Sequence, residues 1–575
     1  MKSLLPFLKP YRKELFIGPL FKWVEAFFEL LVPLVVARLI DVGVKNGDAS
    51  YVWRQGGIMV LLGLVGLCSS LCCQYMASKA SQGFGTDLRG AIFRKVMSFS
   101  GAELDYFTAP SLVTRLTGDS YQVQQGVAML IRMAVRAPFL VVGAVVMAMT
   151  IDMQLSLVFI CVTPVLALII WFVLFKNVPR YREVNKKLDR VSTITRENLL
   201  GARVVRAFSK EEEQERKLEA AAKEHERLSV GIGKLNALLS PLTSAVMNLG
   251  IAAIIWFGAG NVDTGSLTQG ELIAFVNYMG QILLALIALV NLVLIFIKAA
   301  ASGRRICEVL DTTPEVDSGR GESAEAADGI PAIEMRGVSM RYGRSGDNAL
   351  DDISISVPRG ETLGVIGGTG SGKSTLAGLI PRMYDVSGGE VLVNGLDVRA
   401  WDAEKLRQRI GLVPQSPTIL SGTILSNVTL KKPDASEEDI KAAIEISQSA
   451  DFVYSGENGI MREITAGGRN LSGGQRQRLT IARAIAAKPE ILILDDSASA
   501  LDMRTDKALR RALRERTRGM TVVIISQRVS AVEGADRILV LSGGKCAGYG
   551  THGELMKNCA EYREIVKSQE AGENE

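Results

Sequence analysis

The chain has 575 residues, 48% of them apolar and 22% charged, with a formal net charge of +5. This composition excludes a disordered chain; Gly 56 and Pro 17 without a G-X-Y period exclude a collagen-like one, and Cys 7 excludes a disulfide scaffold. A basic balance would suit nucleic acid, but the basic residues gather beside long apolar runs, so a lipid bilayer and no nucleic acid is the implied partner.

In chain order, the first fourteen residues set Leu4, Leu5, Phe7, Leu8 and Tyr11 against Lys2, Lys9, Arg12 and Lys13, the pattern of an interfacial amphipathic helix. Lys9-Pro10, the charge continuing to Glu14 and the long span that follows oppose a cleaved signal peptide. A bilayer core requires roughly 20 mostly apolar residues per helix. Six windows meet that length: about 15–40, 56–78, 129–150, 154–175, 236–260 and 271–299. Segments 151–153 and 261–270 are short and carry no Lys or Arg, whereas 79–128 and 176–235 are long, helical in composition and basic. The positive-inside rule therefore predicts both termini and both long loops in the cytoplasm, with the spans in the cytoplasmic membrane.

Cys68 and Cys72 share a helix face, but no His or carboxylate accompanies them, so they read as small apolar packing residues. Glu25 and Glu29 lie four apart on one face of the first span, one turn beyond Lys22 and roughly 15–20 Å into it. Ionisable residues at such depth face a bundle interior or an aqueous cavity. Two readings stand. The pair lines a substrate path and biases it toward cationic amphipathic compounds, or it forms structural ion pairs with Lys22, Arg132 or Arg136.

From Thr312 to Asp328 the composition shifts to that of a surface linker. The predicted domains are a six-helix transmembrane domain with two long cytoplasmic loops over 1–310, a linker over 311–331 and a nucleotide-binding domain over 332–575. An apolar strand at Glu361–Ile366 leads into Gly367-Gly368-Thr369-Gly370-Ser371-Gly372-Lys373-Ser374, a G-x-x-x-x-G-K-S run between strand and helix. The glycines let backbone N–H groups curl around phosphate oxygens, Lys373 reaches the β/γ-phosphates, Ser374 holds Mg²⁺, and the helix directs its positive end at the anion. Ile491-Leu-Ile-Leu494 reads as a strand buried on both faces, ending at Asp495, a Mg²⁺-coordinating candidate. Leu471-Ser472-Gly473-Gly474-Gln475 opens a further helix, and Ser472 with the Gly473 and Gly474 amides would form a second anion-binding terminus.

That five-residue segment resembles the signature motif of ABC transporter ATPase domains, and the resemblance covers essentially the whole chain. It implies an α-helical six-span transmembrane domain followed by an α/β P-loop ABC ATPase domain, which binds ATP and Mg²⁺. It implies further that Tyr342 stacks on adenine, that Thr375 joins the phosphate-binding residues, and that Gln415 of Val413-Pro-Gln-Ser416 serves as the Q-loop ligand beside Ser374 and Asp495. The signature, with Asp502 of the D-loop Ser499-Ala-Leu-Asp502, would address the ATP of an opposite subunit. Phe107 to Asp119 and Glu197 to Phe208 look like the two intracellular loops of six-helix bacterial exporters, which carry the coupling helices.

Two positions depart from the family pattern. Where the family has a catalytic Glu after the Walker B Asp, this chain has Asp496, shorter by one C–C bond, about 1.5 Å. Where it has a switch His, in Ile524-Ile-Ser-Gln-Arg528, this chain has Gln527, which cannot become cationic. His225 and His552, the two histidines, lie elsewhere. Together these read as a degenerate ATP site. The leading expectation is one half of a heterodimeric multidrug-type exporter of amphipathic small molecules, whose partner half-transporter supplies the consensus Glu and His. An ATP-gated channel or regulatory membrane module, and a lipid, peptide or siderophore exporter of the same architecture, are the alternatives.

Overall fold

The computed structural model describes residues 2–573 apart from Ser318, Arg320, Arg344, Ser345, Glu457, Ala498 and Arg518, so two residues of the expected linker lie outside the described residues. The chain divides into two compact units. One comprises Met1–Val96 and Pro110–Thr312, the other Met97–Ala109 and Thr313–Glu575.

The first unit is helical throughout. Helices Ala49–Met97, Leu157–Leu200 and Gln269–Asp311, and the helical runs Ala109–Ile151 and Glu211–Asp263, are long and apolar enough to cross a membrane. At 1.5 Å per residue a 44-residue helix spans about 66 Å, twice the ~30 Å hydrocarbon core, so much of the two long basic loops is helix continued beyond the spans. The expected first span, Arg12–Arg38, is a single 27-residue helix with Lys22, Glu25 and Glu29 in its middle, and those charges set it apart from the other five. Small residues let the helices approach closely: a Cβ on Gly258 would lie 2.4 Å from Leu272 Cδ1, and Ala26, Ala144 and Ala274 are fully buried. Buried Tyr278 donates its hydroxyl to the Leu30 carbonyl at 2.7 Å, a partner inside the bundle. The expected N-terminal helix is a 3₁₀ helix, Lys2–Tyr11. Pro6 and Pro10 within it lack the N–H that α-helical bonding needs.

The second unit is built on a six-stranded sheet with strand order Lys545–Gly550, Arg537–Ser542, Thr362–Gly367, Thr521–Ser526, Ile491–Asp495, Ile410–Val413. The inner neighbours pair in parallel, and Lys545–Gly550 closes one edge antiparallel. The central strands read as unbroken apolar runs because helices cover both faces, and all five residues of Ile491–Asp495 are buried. A second sheet, Leu350–Val357, Ile333–Met340, Gly388–Val393 and Leu396–Asp397, is antiparallel.

Residues 97–109 group with the second unit. At the start of their short helix Gly101–Phe107 the Ser100 N–H and hydroxyl both donate to the Glu103 carboxylate. Gly101 N–H donates to Met383 O at 3.1 Å, and Tyr384 donates its hydroxyl to Asp105 at 2.8 Å. The linker is held as well: Glu315 N–H donates to Glu103 at 2.8 Å, Arg382 donates to Asp317 at 2.9 Å, and Glu322 exchanges backbone bonds with Ala400 and Asp402.

Candidate functional site

The site grows from the carboxyl ends of three neighbouring parallel strands, where open α/β sheets present ligand-binding groups. Thr362–Gly367 runs into the exposed loop Gly368-Thr369-Gly370 and then into the helix Lys373–Leu379. Two glycines of this loop are dictated by the backbone. Gly372 has φ +95°, and a Cβ there would sit 2.4 Å from Ala349 O; Gly367 would place one 2.2 Å from Leu541 O. Lys373 folds back over the loop, donating to Gly367 O at 2.8 Å, Gly368 O at 2.6 Å and Ser371 Oγ at 3.3 Å. Burial pulls its amine below the usual lysine range, against the pull of Asp496 and Asp495. Thr375 is buried and accepts from the Tyr342 hydroxyl at 3.1 Å, and the Tyr342 ring meets Tyr384 edge-on at 5.2 Å.

At the end of Ile491–Asp495, Asp495 accepts from Ser374 Oγ at 3.2 Å. Burial raises the Asp495 carboxyl above the usual range, and neighbouring Asp496 adds to the rise. Asp496 adopts φ +43°, a left-handed conformation Asp tolerates better than most residues. Gln415 Nε2 approaches its carboxylate to 3.5 Å. Burial raises Asp496 too, opposed by Lys373 and Arg528. Gln527 follows directly on Thr521–Ser526 with its side chain exposed, and its backbone carbonyl accepts from Gln569 at 2.7 Å. Because Ile525 registers with Asp495 on the adjacent strand, Gln527 and Asp496 share one rim of the sheet.

Lys373, Ser374, Gln415, Asp495 and Asp496 are thus brought together. The signature segment is placed separately. Leu471 is buried, while Ser472 and Gly473 are exposed. Ser472 caps the helix Gly473–Ala486, its Oγ accepting from Gln475 N–H while Gln475 Oε1 accepts from Ser472 N–H. Among the described residues, no hydrogen bond joins Leu471–Gln475 to the P-loop. Asp502 caps the helix Met503–Arg516, accepting from Thr505 N–H at 2.9 Å and its hydroxyl at 2.8 Å. The glycine cradle and the paired hydroxyl and carboxylate oxygens of Ser374 and Asp495 suit a Mg²⁺-bound triphosphate, since Mg²⁺ prefers hard oxygen ligands. Among the described residues no group of three or more His, Cys, Asp or Glu could hold a metal ion, and Cys68 and Cys72 are free thiols. Arg528 escaped sequence reasoning; a lone charge after a strand has no spacing signature.

Glu25 and Glu29, expected to line a substrate path or to form structural ion pairs, both have basic neighbours. Lys22 Nζ contacts Glu25 at 2.6 Å, Arg136 contacts Glu29 at 2.8 Å, and Arg136 Nε lies 4.0 Å from Glu25. Basic side chains already occupy both carboxylates.

Residues 15–286 match the family described as the ABC transporter transmembrane region, and residues 350–499 that described as ABC transporter. An uncharacterized ABC transporter ATP-binding protein of Bacillus subtilis is 36% identical over 570 residues, covering 99% of this chain and 98% of the relative. One from Mycobacterium tuberculosis is 35% identical over 567 residues, covering 98% and 97%. An ATP-dependent lipid A-core flippase of Chromohalobacter salexigens is 29% identical over 573 residues, covering 99% and 97%. The solved structure of a bacterial Atm1-family ABC exporter with ATP bound is similar in fold, with a TM-score of 0.78 at 22% identity over 97% of this chain and 98% of that one.

Proposed function

We propose, from the premise that this chain belongs to the ABC transporter family and has the fold of an exporter half, that it is the subunit carrying the degenerate ATP site of a heterodimeric exporter of amphipathic molecules. The ABC ATPase domain makes it part of an ATP-hydrolysing transporter. The observation that carries the finer reading is Asp496 with Gln527 on one rim of the sheet, beside an otherwise complete phosphate cradle. In this reading the P-loop amides bind the phosphates, and Lys373 exchanges its carbonyl partners for phosphate oxygens. Ser374, Asp495 and Gln415 would hold Mg²⁺, which would supply positive charge against the phosphates. Asp496, one methylene short, holds an attacking water about 1.5 Å too far back, a displacement worth about 10²-fold in rate. Gln527 donates a hydrogen bond where a cation would be stronger.

Two exposed surfaces support a partner. The exposed Ser472–Gly473 face turns the N-terminus of the helix Gly473–Ala486 to solvent. The tip of the second cytoplasmic loop exposes Leu199, Leu200 and Phe208 at 73%, 83% and 72%, an apolar cluster that a lone chain would leave in water. Its occupant in this reading is the ATPase domain of the partner half-transporter. The membrane is the cytoplasmic one with both termini inside, and the lipid A-core flippases among the relatives make amphipathic lipids one substrate class to assay. The test is ATP binding and turnover by the purified chain alone and with a candidate partner carrying Glu and His at the two positions. Tight Mg-ATP binding with slow turnover alone, and restored turnover with the partner, is the expected result. Robust cooperative hydrolysis by the chain alone rejects it.

A further inference from the structure

The helical run Ala109–Ile151 is broken within the membrane-spanning part of the sequence. One helix ends at Met133, the next begins at Arg136, and residues 134 and 135 form a turn. Pro138 accounts for the break, since it has no N–H to return to the Ala134 carbonyl. Two arginines four residues apart, Arg132 and Arg136, flank it.

The charges around the break do not balance. Lys22 is paired with Glu25, and Arg136 with Glu29 and, at 4.0 Å, with Glu25. Arg132 stands one turn before Arg136 and next to Ile131, whose Cγ2 would lie 2.5 Å from a Cβ on Gly18, one turn before Lys22. Among the described residues the one hydrogen bond of Arg132 is to the Ser78 hydroxyl at 3.3 Å, its Nε is buried without a partner, and no carboxylate pairs with it. Glu14, lower on the first helix, is taken by Lys79 at 2.8 Å. Three cations therefore face two carboxylates. Arginine stays protonated even when desolvated, so it cannot escape by losing its charge. A half-buried arginine with no carboxylate partner can take an anion there.

We infer that the transported amphiphile carries an acidic headgroup, a phosphate, sulfonate or carboxylate, which Arg132 binds at the helix break. This rests on the export reading above and names the substrate class. It also reverses the cationic preference expected from Glu25 and Glu29 alone, because those carboxylates are already neutralised.

Trp23 stands beside Lys22 and packs on Phe139 at 5.5 Å, so it reports on ligands at the break. The full-length chain in phosphatidylcholine nanodiscs would be titrated with two diphenylhexatriene probes, one bearing a propionate and the other a trimethylammonium. Energy transfer from Trp23 is isolated by subtracting the Trp23→Phe variant. At least tenfold tighter binding of the propionate probe is expected. Arg132→Gln should cut that preference below threefold, and Arg132→Lys should keep most of it. Equal or tighter binding of the trimethylammonium probe by the unmodified chain overturns the proposal without any variant having to fold, and an unchanged preference in folded Arg132→Gln overturns the assignment to Arg132. Displacement by phosphatidic acid supports a lipid headgroup, and displacement by deoxycholate alone supports a soluble anion; displacement by inorganic phosphate at equal concentration overturns the amphiphile. ATP-driven translocation of either probe, followed in proteoliposomes with the partner present, tests export separately. Its absence with the charge preference intact sinks the export reading and leaves the site.

Discussion

Gln415 Nε2 lies 3.5 Å from Asp496 Oδ2, at the outer limit of a hydrogen bond. A side chain one methylene longer would reach further across this rim and could bring the pair within ordinary hydrogen-bond range.

Restoring the two family residues should restore chemistry. Asp496→Glu with Gln527→His is expected to raise ATP turnover of the purified chain at least tenfold, part of the roughly 10²-fold that a 1 Å misplacement costs. Glu tolerates the left-handed backbone at this position less well than Asp, so stability should fall by about 1 kcal/mol. Turnover rising while the melting temperature falls would separate chemistry from stability. Unchanged turnover in a folded double variant would reject the degenerate-site account.

Substitutions in the assembled heterodimer should act asymmetrically. Ser472→Ala removes a helix cap, worth about 1 kcal/mol, which the fold tolerates. Gly473→Glu adds a carboxylate that suits the helix terminus but repels phosphate. Both should lower turnover at least tenfold, because this face would serve the partner's competent site. Asp496→Asn should change it less than threefold, and Lys373→Ala should mainly weaken ATP retention. Equal losses from Asp496→Asn and Ser472→Ala would contradict the assignment.

The short helix Gly101–Phe107 offers a test of coupling. A Cβ on Gly101 would lie 2.4 Å from Cζ of the Tyr384 ring, so Gly101→Val must displace one or the other. ATP binding by the P-loop should survive, while substrate-stimulated turnover should drop about tenfold. Tyr384→Phe, which loses only the bond to Asp105, should be milder. Normal stimulation in Gly101→Val would show that this contact carries no signal.

What was legible in the sequence follows the range of the contacts involved. The P-loop, Asp495 and the signature helix were readable because strand, loop and helix are consecutive, and their glycines are forced by nearby backbone. The docking of 97–109 onto Met383 and Tyr384 was not readable, since it joins residues about 280 positions apart with no periodicity to announce it. The pairing of Glu25 and Glu29 was visible only as a set of alternatives. Lys22 is three residues from Glu25, but the choice between Arg132 and Arg136 depends on how two distant helices rotate against each other.

Burial makes two predictions about pH in the second unit. Asp495 has its folded pKa raised, so its stabilising contribution is complete below the unfolded value of about 3.9 and is lost as pH rises through the folded one. Asp495→Asn should melt a degree or two higher at neutral pH, on the order expected for a modest change, yet bind Mg-ATP poorly. Lys431, donating to Ile410 O at 2.6 Å, is pulled down to about 8 by burial. A lowered lysine holds fewer protons folded than unfolded, so stability should rise between pH 8 and the unfolded value of about 10.4. Thermal melts of wild type and Lys431→Met across that window should diverge, with the rise confined to wild type. Parallel curves would mean that the amine stays solvated.

The carboxylates of the first span differ in what their loss should do. Glu25 is 16% exposed and sits between Lys22 and Arg136, whereas Glu29 is 37% exposed and holds Arg136 alone. Removing one partner of a buried pair strands the other charge, at about 3–5 kcal/mol when burial is complete, and toward ~1 kcal/mol when solvent reaches the pair. Glu25→Gln should therefore destabilise the chain more than Glu29→Gln. It should also add a second uncompensated cation beside Arg132, tightening an anionic amphiphile while loosening the fold. A cation-selective path would behave oppositely: Glu25→Gln would cost cationic transport at normal stability. Melting temperature and the two-probe titration, measured on the same preparation of each variant, decide between them. Lower stability with a stronger anionic preference supports the ion-pair reading, and unchanged stability with selective loss of the cationic probe returns these residues to the substrate path.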